Sequence, residues 1–174
     1  KNIIFSARDR LGVKPFYYKF NNGKFEISSQ ISPLKNNSLT INKIAISAYL
    51  KTGYIPSPLS IYNEINKLSP GCYMIIDLKT NTNSIKKYWD LTKINQVKIS
   101  YDEALNELEK LIDDSVKIRL NSDVPMGTFL SGGIDSALIT SIASKISNKK
   151  INTFTIGFEE THYDESELAK KYSR

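Results

Sequence analysis

A glycine-rich loop between an apolar run and a helical run constrains this chain more than any other feature. Residues 128–130 are apolar or β-branched, the loop 131–136 reads Ser-Gly-Gly-Ile-Asp-Ser, and a helical run follows at 137–146. Two adjacent glycines let backbone N–H groups approach an anion, and the following helix directs its free N–H groups and positive dipole end at the same place. The sequence therefore predicts a strand, loop and helix that hold pyrophosphate.

The spacing of this loop separates it from the commonest phosphate-binding loop. A Walker A loop needs G-x-x-x-x-G-K-[ST], and no lysine follows Gly133 here. This disfavours a kinase-like or GTPase-like γ-phosphate site and favours pyrophosphate that leaves an α-phosphate. One alternative stays open, an ordinary strand-to-helix turn in which Asp135 or Ser136 caps the helix.

The second half of the chain alternates strands and helices. Residues 100–103 have capping-box spacing and begin a helix of about five turns with one apolar stripe. A strand at 126–130, a helix at 136–147 and a strand at 151–158 predict a parallel βαβ unit, and 164–167 open a further capped helix. Because ligands lie beyond the carboxyl ends of parallel strands, we expect the loop to lie beside residues 157–160.

The first half is rich in short strands that are typical of an antiparallel layer. Strands are predicted at 3–5, 16–20 and 24–28, with a hairpin turn at 21–23, and further strands at 72–78 and before Trp89. A short amphipathic helix should begin after Asn42 and end at Gly53. Residues 90–100 are the predicted linker, which gives two domains, 1–99 and 100–174, and a fold class that is α+β followed by α/β.

Composition limits the classes of partner. Residues 1–99 hold 15 Lys and Arg against 5 Asp and Glu, a charge of +10, whereas residues 100–174 hold 9 against 13, a charge of −4. The lysines are scattered and lack an interleaved aromatic platform, so a solvated surface is favoured over a nucleic-acid site.

The cysteine and histidine content and the hydropathy of the chain argue against a disulfide-bonded, a zinc-binding or a membrane protein. Cys72 is the single cysteine, so no internal disulfide forms, and its strand-like surroundings predict a structural role. His162 has no second ligand at metal spacing and is expected at the surface, without a zinc site. No apolar run of about 18 residues and no signal-peptide pattern occur, which predicts a cytoplasmic location and no membrane partner.

The loop and its surroundings resemble a known family. Residues 130–136 resemble the S-G-G-[LI]-D-S loop of the N-type ATP pyrophosphatases, and the wider chain is similar to the glutamine-dependent asparagine synthetases. Seven blocks resemble that family in its order: 7–18, 53–58, 68–71, 88–91, 122–125, 154–158 and 163–166. One departure is Gln30, where the family usually has glutamate.

The resemblance implies a fold and a set of binding residues. It implies the tail of an antiparallel Ntn-type (class II) glutaminase domain followed by the start of a parallel-sheet ATP pyrophosphatase domain, with ATP and Mg²⁺ as cofactors. Backbone groups of Phe129 and Ile156 would contact adenine, and Asp135 would be the Mg²⁺ ligand or, alternatively, a helix cap. The implied nucleotide contacts are Phe129, Leu130, Ser131, Gly132, Gly133, Asp135, Ser136, Ile156 and Gly157.

The same resemblance implies the reaction. Aspartate would be activated by ATP to an aspartyl-adenylate with release of pyrophosphate, and ammonia from glutamine would then give asparagine and AMP. The family's N-terminal cysteine and its downstream Ser-Gly-Glu-Gly loop and lysine are not among these residues, so no catalytic residue is assigned. We expect an internal segment that is inactive alone, with aspartate, glutamine and ATP as partners and a homodimer as an open question.

Three other functions stay open from the sequence. A related amidotransferase could act on another carboxylic acid, such as a surface-polysaccharide sugar acid or a β-lactam precursor. A nucleic-acid-modifying ATP pyrophosphatase is the second, although such an enzyme should show a sulfur-transfer cysteine or a compact basic platform. A non-enzymatic nucleotide-binding module is the third.

Overall fold

The computed structural model describes residues 2–21, 23–147, 150–160, 162 and 164–173. The chain divides into two compact units between Gln96 and Val97. Antiparallel sheets occur in the first unit and a parallel pair of strands occurs in the second. The predicted mixture of α-helices with antiparallel and parallel sheet is therefore confirmed.

The described part of the first unit forms two antiparallel sheets of three strands each. In chain order the strands are β1 Ile3–Ala7, β2 Tyr17–Asn21, β3 Lys24–Ser28, β4 Asn66–Lys67, β5 Cys72–Asp77 and β6 Thr82–Lys87. One sheet has the order β1-β5-β6 and the other β3-β2-β4. Asn21 pairs with Lys24 across the predicted hairpin; Asn22 of that turn lies outside the described residues.

The core of this unit lies under β5. Cys72, Met74 and Ile76 alternate along the strand and are all buried, because every second side chain of a strand points to the same face. Leu68 joins them, and apolar side chains from β1, β2 and β3 pack around the group. The burial of Cys72 agrees with its predicted structural role.

The helix of the first unit has the predicted ends. Helix α1 spans Lys43–Thr52, its N-cap Asn42 accepts a hydrogen bond from the Ala45 N–H at 3.0 Å, and Gly53 ends it at φ +77°. Ala45 is buried, whereas Ile44 and Leu50 are 71% and 79% exposed. The predicted apolar stripe is thus largely uncovered in this unit.

The second unit opens with a long capped helix. Helix α2 spans Tyr101–Arg119, and a short 3-10 helix, Leu91–Lys93, interrupts the predicted linker at the end of the first unit. The Ser100 hydroxyl accepts the Glu103 N–H at 3.3 Å and the Glu103 carboxylate accepts the Ser100 N–H at 2.9 Å, so the predicted capping box is confirmed. Val116 of the apolar stripe is buried.

The predicted βαβ unit is present, with different boundaries. Strand β7 spans Gly127–Phe129, α3 Ile134–Ile146, β8 Asn152–Phe154 and α4 Ser166–Tyr172, and the two strands pair in parallel. The prediction that the helix begins at residue 136 is wrong, because Gly133 serves as N-cap and the chain becomes helical directly after the double glycine.

The second strand is also shorter than predicted. Its last ladder bond runs from the Leu130 N–H to the Phe154 carbonyl at 2.9 Å, and β7 offers no further partner because the chain turns into the loop. Residues 155–158 therefore lie beyond the sheet. No helix in the described ranges is both long enough and apolar enough to cross a bilayer.

Candidate functional site

A cavity of about 350 Å³ lies where β7 and β8 end and the glycine-rich loop begins. Five of the predicted nucleotide contacts line it: Phe129, Leu130, Ser131, Ser136 and Ile156. The remaining lining residues are Phe154, Thr155, Phe158 and Glu165. The loop and the segment after β8 thus share one cavity at the carboxyl edge of the parallel strands.

A larger cavity, of about 590 Å³, lies at the opposite ends of the same strands. Its lining includes Asp123, Met126, Lys150 and Asn152, around the starts of β7 and β8. Ligands of parallel sheets lie beyond the carboxyl ends of the strands, where loops and helix N-termini converge. Position therefore favours the smaller cavity as the functional one.

Two serines close the loop on itself. The Ser136 hydroxyl lies 2.9 Å from the Ser131 hydroxyl and accepts the Ser131 N–H at 3.1 Å, and the Gly133 N–H donates to the Ser131 hydroxyl at 3.1 Å. The Ser136 hydroxyl also lies 3.1 Å from the Gly133 carbonyl oxygen. The loop is therefore held in shape by its own hydroxyl groups.

The first turn of α3 presents donors beside this loop. The Ala137 N–H, bonded to the Gly133 carbonyl at 3.2 Å, marks where the helical hydrogen bonds begin. The preceding N–H groups, at residues 134–136, are the ones that a helix leaves free for an anion. Asp135 lies exposed in this turn, and neither it nor Ser136 is the N-cap, so the interpretation of the motif as a side-chain-capped turn is wrong.

The Gly132 N–H is occupied by a carboxylate. Glu165 accepts its hydrogen bond through Oε2 at 2.9 Å. A Cβ added at Gly132 would lie 3.0 Å from Leu168 Cδ2 and 3.1 Å from Glu165 Cβ, so α4 packs directly against the loop. No local pattern indicated this contact, because residues 164–167 predicted a helix start and nothing more.

Asp164 fixes the segment that carries Glu165. Its carboxylate accepts hydrogen bonds from the Ser166 hydroxyl at 2.9 Å, the Ser166 N–H at 3.1 Å and the Phe158 N–H at 3.4 Å. These bonds, the Ser166 hydroxyl first, hold the pKa of the Asp164 carboxyl below its ordinary value of 3.8. Gly157 lies close by, since an added Cβ would be 3.6 Å from Asp164 Oδ1. Tyr163 of the same block lies outside the described residues.

The mouth of the cavity is apolar. The rings of Phe129 and Phe154 are 6.5 Å apart between centroids, and Phe129 and Ile156 are 82% and 71% exposed. The Thr155 hydroxyl donates to the Leu130 carbonyl at 2.7 Å and ties the two strand ends together. Apolar walls with a few convergent polar groups are typical of small-molecule sites.

The residues that the structure describes contain no group of three or more His, Cys, Asp or Glu that could hold a metal ion. His162 is exposed, as predicted. A lone carboxylate such as Asp135 can hold Mg²⁺ when phosphate oxygens supply further ligands, which is the usual arrangement at nucleotide sites. Among the described residues, Asp135 is thus suited to hold Mg²⁺ only together with phosphate oxygens.

The family models match the two halves of the chain in turn. The model for the glutamine amidotransferase domain matches residues 1–89, and the model for asparagine synthase matches residues 107–174. The chain belongs to the glutamine amidotransferase domain family through its first half, and its second half matches the asparagine synthase model. The first match covers the antiparallel unit, and the second includes the glycine-rich loop and the cavity.

Curated relatives of this chain are named as glutamine-hydrolyzing asparagine synthetases. The chain is 40% identical over 98% of its length to a protein of Methanocaldococcus jannaschii named putative asparagine synthetase (glutamine-hydrolyzing) 2. It is 31% and 32% identical, over 98% and 92% of its length, to asparagine synthetases (glutamine-hydrolyzing) 1 and 3 of Bacillus subtilis. The matched regions are 34%, 27% and 27% of these relatives, so the chain spans about a third of their length or less.

Proposed function

We propose that this chain carries part of an ATP-dependent ligase that amidates aspartate to asparagine with ammonia from glutamine. In this proposal residues 1–99 are the C-terminal part of an Ntn-type glutaminase domain with its linker, and residues 100–174 begin an N-type ATP pyrophosphatase domain. The observation that carries the proposal is the double-glycine loop at the carboxyl edge of β7 and β8, whose Gly132 N–H already bonds an anionic oxygen. The relatives' names support the same reaction.

The loop and the first turn of α3 would hold the phosphates that leave. The N–H groups of Gly132 and of residues 134–136 supply donors for phosphate oxygens, and Gly133 keeps side-chain bulk away from them. ATP supplies the AMP leaving group that makes a carboxylate reactive toward ammonia. Fixed backbone donors stabilise the charge that develops on pyrophosphate, because they need no reorganisation during the reaction.

The neighbouring residues would orient the nucleotide. Phe129, Leu130 and Ile156 border the cavity at the strand ends, where backbone N–H and C=O groups can bind the edge of adenine. Ser131 and Ser136 hold the loop in its shape. Asp135 would hold Mg²⁺ together with phosphate oxygens, and Gly157 leaves room beside Asp164.

A substitution at Gly133 tests the phosphate site. The backbone of Gly133 has φ −78° and ψ 151°, which valine adopts readily, and the nearest atom to an added Cβ is the Ser131 hydroxyl at 3.3 Å. In the protein as its gene encodes it, Gly133→Val should lower ATP-dependent pyrophosphate release about 100-fold or more, because the side chain occupies phosphate space. Glutamine hydrolysis should stay within about twofold of wild type.

Ser141→Val is the matched control. It places the same side chain on an exposed position of α3, away from the loop, and should leave both activities unchanged. Equal loss of pyrophosphate release and glutaminase activity in Gly133→Val would indicate unfolding and contradict a phosphate-specific role. Pyrophosphate release with another carboxylic acid and none with aspartate would contradict aspartate as the acceptor.

The setting of the enzyme belongs to the same proposal. A cytoplasmic location stays an expectation, which cell fractionation followed by immunoblotting would test. Assembly as a homodimer stays an expectation, which light scattering after size-exclusion chromatography would test.

A further inference from the structure

The carboxylate of Glu165 occupies a donor in the loop that the proposed function assigns to phosphate. Its Oε2 atom lies 2.9 Å from the Gly132 nitrogen, and Glu165 also lines the cavity shared by the loop and the strand ends. Backbone N–H groups in such loops bind carboxylate and phosphate oxygens by the same charge-assisted hydrogen bond. Both anions cannot accept the same N–H at full strength.

We propose that Glu165 is an internal competitor for the phosphate site: its carboxylate accepts the Gly132 N–H, leaves when phosphate binds, and returns when pyrophosphate departs. This inference rests on the proposed function, because it presumes that phosphate binds at the loop. It assigns to Glu165 a part in setting the affinity for pyrophosphate, and thereby the ease of its release.

The exchange requires a side chain to move while the helix stays. Asp164 anchors the segment through Ser166 and Phe158, and Leu168 of α4 packs against Gly132. The Glu165 residue itself is exposed, so its carboxylate can rotate into water and regain hydration there. The contact with Gly132 is therefore the part of this packing that can open without unfolding α4.

The charge of Glu165 should weaken pyrophosphate binding in addition to the competition. A carboxylate a few ångströms from the phosphates repels them, and near a protein surface that repulsion is only partly screened. Glu165→Gln removes the charge and keeps the side-chain length and an amide oxygen that can accept the Gly132 N–H. We expect this variant to bind inorganic pyrophosphate about 3- to 10-fold more tightly than wild type.

Glu167→Gln is the matched control. It removes the same charge two residues further on, from the first turn of α4, whereas Glu165 is the N-cap of that helix. Its affinity for pyrophosphate should stay within about twofold of wild type, because its carboxylate has no recorded bond to the loop. Glu165→Ala, which removes charge and hydrogen bond together, should also bind at least as tightly as Glu165→Gln.

The experiment is isothermal titration calorimetry of magnesium pyrophosphate into the full chain, in wild type and the three variants, with thermal unfolding of each. Tighter binding in both Glu165 variants with an unchanged control supports the inference. Equal or weaker binding in both, at an unchanged Tm, overturns it while the phosphate site stands. Absence of pyrophosphate and ATP binding in every protein, wild type included, overturns the proposed function and this inference with it.

Discussion

Asp9 holds a turn of the first unit through its carboxylate. Oδ1 accepts the N–H groups of Val13 at 2.9 Å and Leu11 at 3.2 Å, and Oδ2 accepts that of Lys14 at 3.1 Å. These bonds, led by those from Lys14 and Val13, lower the pKa of Asp9 below its ordinary value of 3.8. A lowered folded-state pKa stabilises the fold above pH 3.8, and that stability is lost as the pH falls through the folded value.

Replacing Asp9 with asparagine should expose this contribution. Asp9→Asn should lower the Tm at pH 7 by a few degrees. The amide oxygen of asparagine is a weaker acceptor than a carboxylate oxygen, and the NH₂ group that replaces the other oxygen cannot accept an N–H at all. Between about pH 5 and pH 2, the Tm of the variant should also fall by less than the Tm of wild type. Thermal melts followed by circular dichroism across that range measure both effects.

Asp114→Asn provides the charge-matched control, on an exposed position of α2. Its Tm should follow the wild-type pH dependence. If the Tm of Asp9→Asn and of wild type changed with pH in the same way, the hydrogen bonds of Asp9 would not lower its pKa in the folded chain relative to the unfolded chain.

Individual caps could be predicted from the sequence, whereas the long-range contacts of the site could not. Asn42 and Ser100 bond to N–H groups three residues away, so residue type and spacing are sufficient to find them. The bond from Gly132 to Glu165 joins residues 33 apart, and the bond from Thr155 to Leu130 joins residues 25 apart. Nothing local in the sequence specifies such pairs, because they depend on how α4 and β8 pack on the loop.

Two glycines at the ends of elements share a backbone conformation and differ in their surroundings. Gly53 ends α1 at φ +77° with open space around an added Cβ, and Gly71 precedes β5 at φ +64°. A Cβ at Gly71 would lie 2.5 Å from the Trp89 carbonyl oxygen. A side chain at Gly53 would incur only the conformational cost of a positive φ, whereas a side chain at Gly71 would also clash with the backbone of Trp89.

Alanine at each position separates the two costs. Gly53→Ala should destabilise the first unit by about 1 kcal/mol, the usual cost of a left-handed residue other than glycine. Gly71→Ala should destabilise it by at least twice as much, because β5 or the chain at Trp89 must move. Urea denaturation of the two variants gives both values, and equal destabilisation would contradict the close approach at Trp89.

Helices and strands could be predicted where the hydrophobic pattern and the capping residues agreed. The residues at which these elements end could not always be predicted. The strands of β1, β3 and β5 follow from β-branched and aromatic runs, and β5 alternates buried and partly buried residues as a strand should. The end of β8 depended instead on where its partner β7 stops. An element boundary that is set by a neighbour has no signal in its own sequence.

Across the molecule, the apolar stripes of the helices are correct as patterns but remain largely uncovered. Leu105, Leu108 and Leu111 of α2 are each more than half exposed, as are Ile44 and Leu50 of α1. The periodicity therefore predicted the helices and did not reveal how much of each face these 174 residues would cover. The chain spans a third or less of the length of the relatives it matches.

The order of the two matched domains agrees with the order of the two structural units. The amidotransferase match ends at residue 89 and the synthase match begins at residue 107, on either side of the division between Gln96 and Val97. The resemblance to the family predicted this order of domains from the sequence. Composition alone gave only the change of charge near residue 100.

NMR can show whether the loop at residues 131–136 binds the phosphates of ATP. The isotope-labelled chain would be titrated with Mg²⁺ and α,β-methylene-ATP, and the backbone amide shifts mapped. We expect the largest shifts at residues 131–136 and at Ile156. Shifts concentrated around residues 121–126, at the larger cavity, or absent throughout would contradict it.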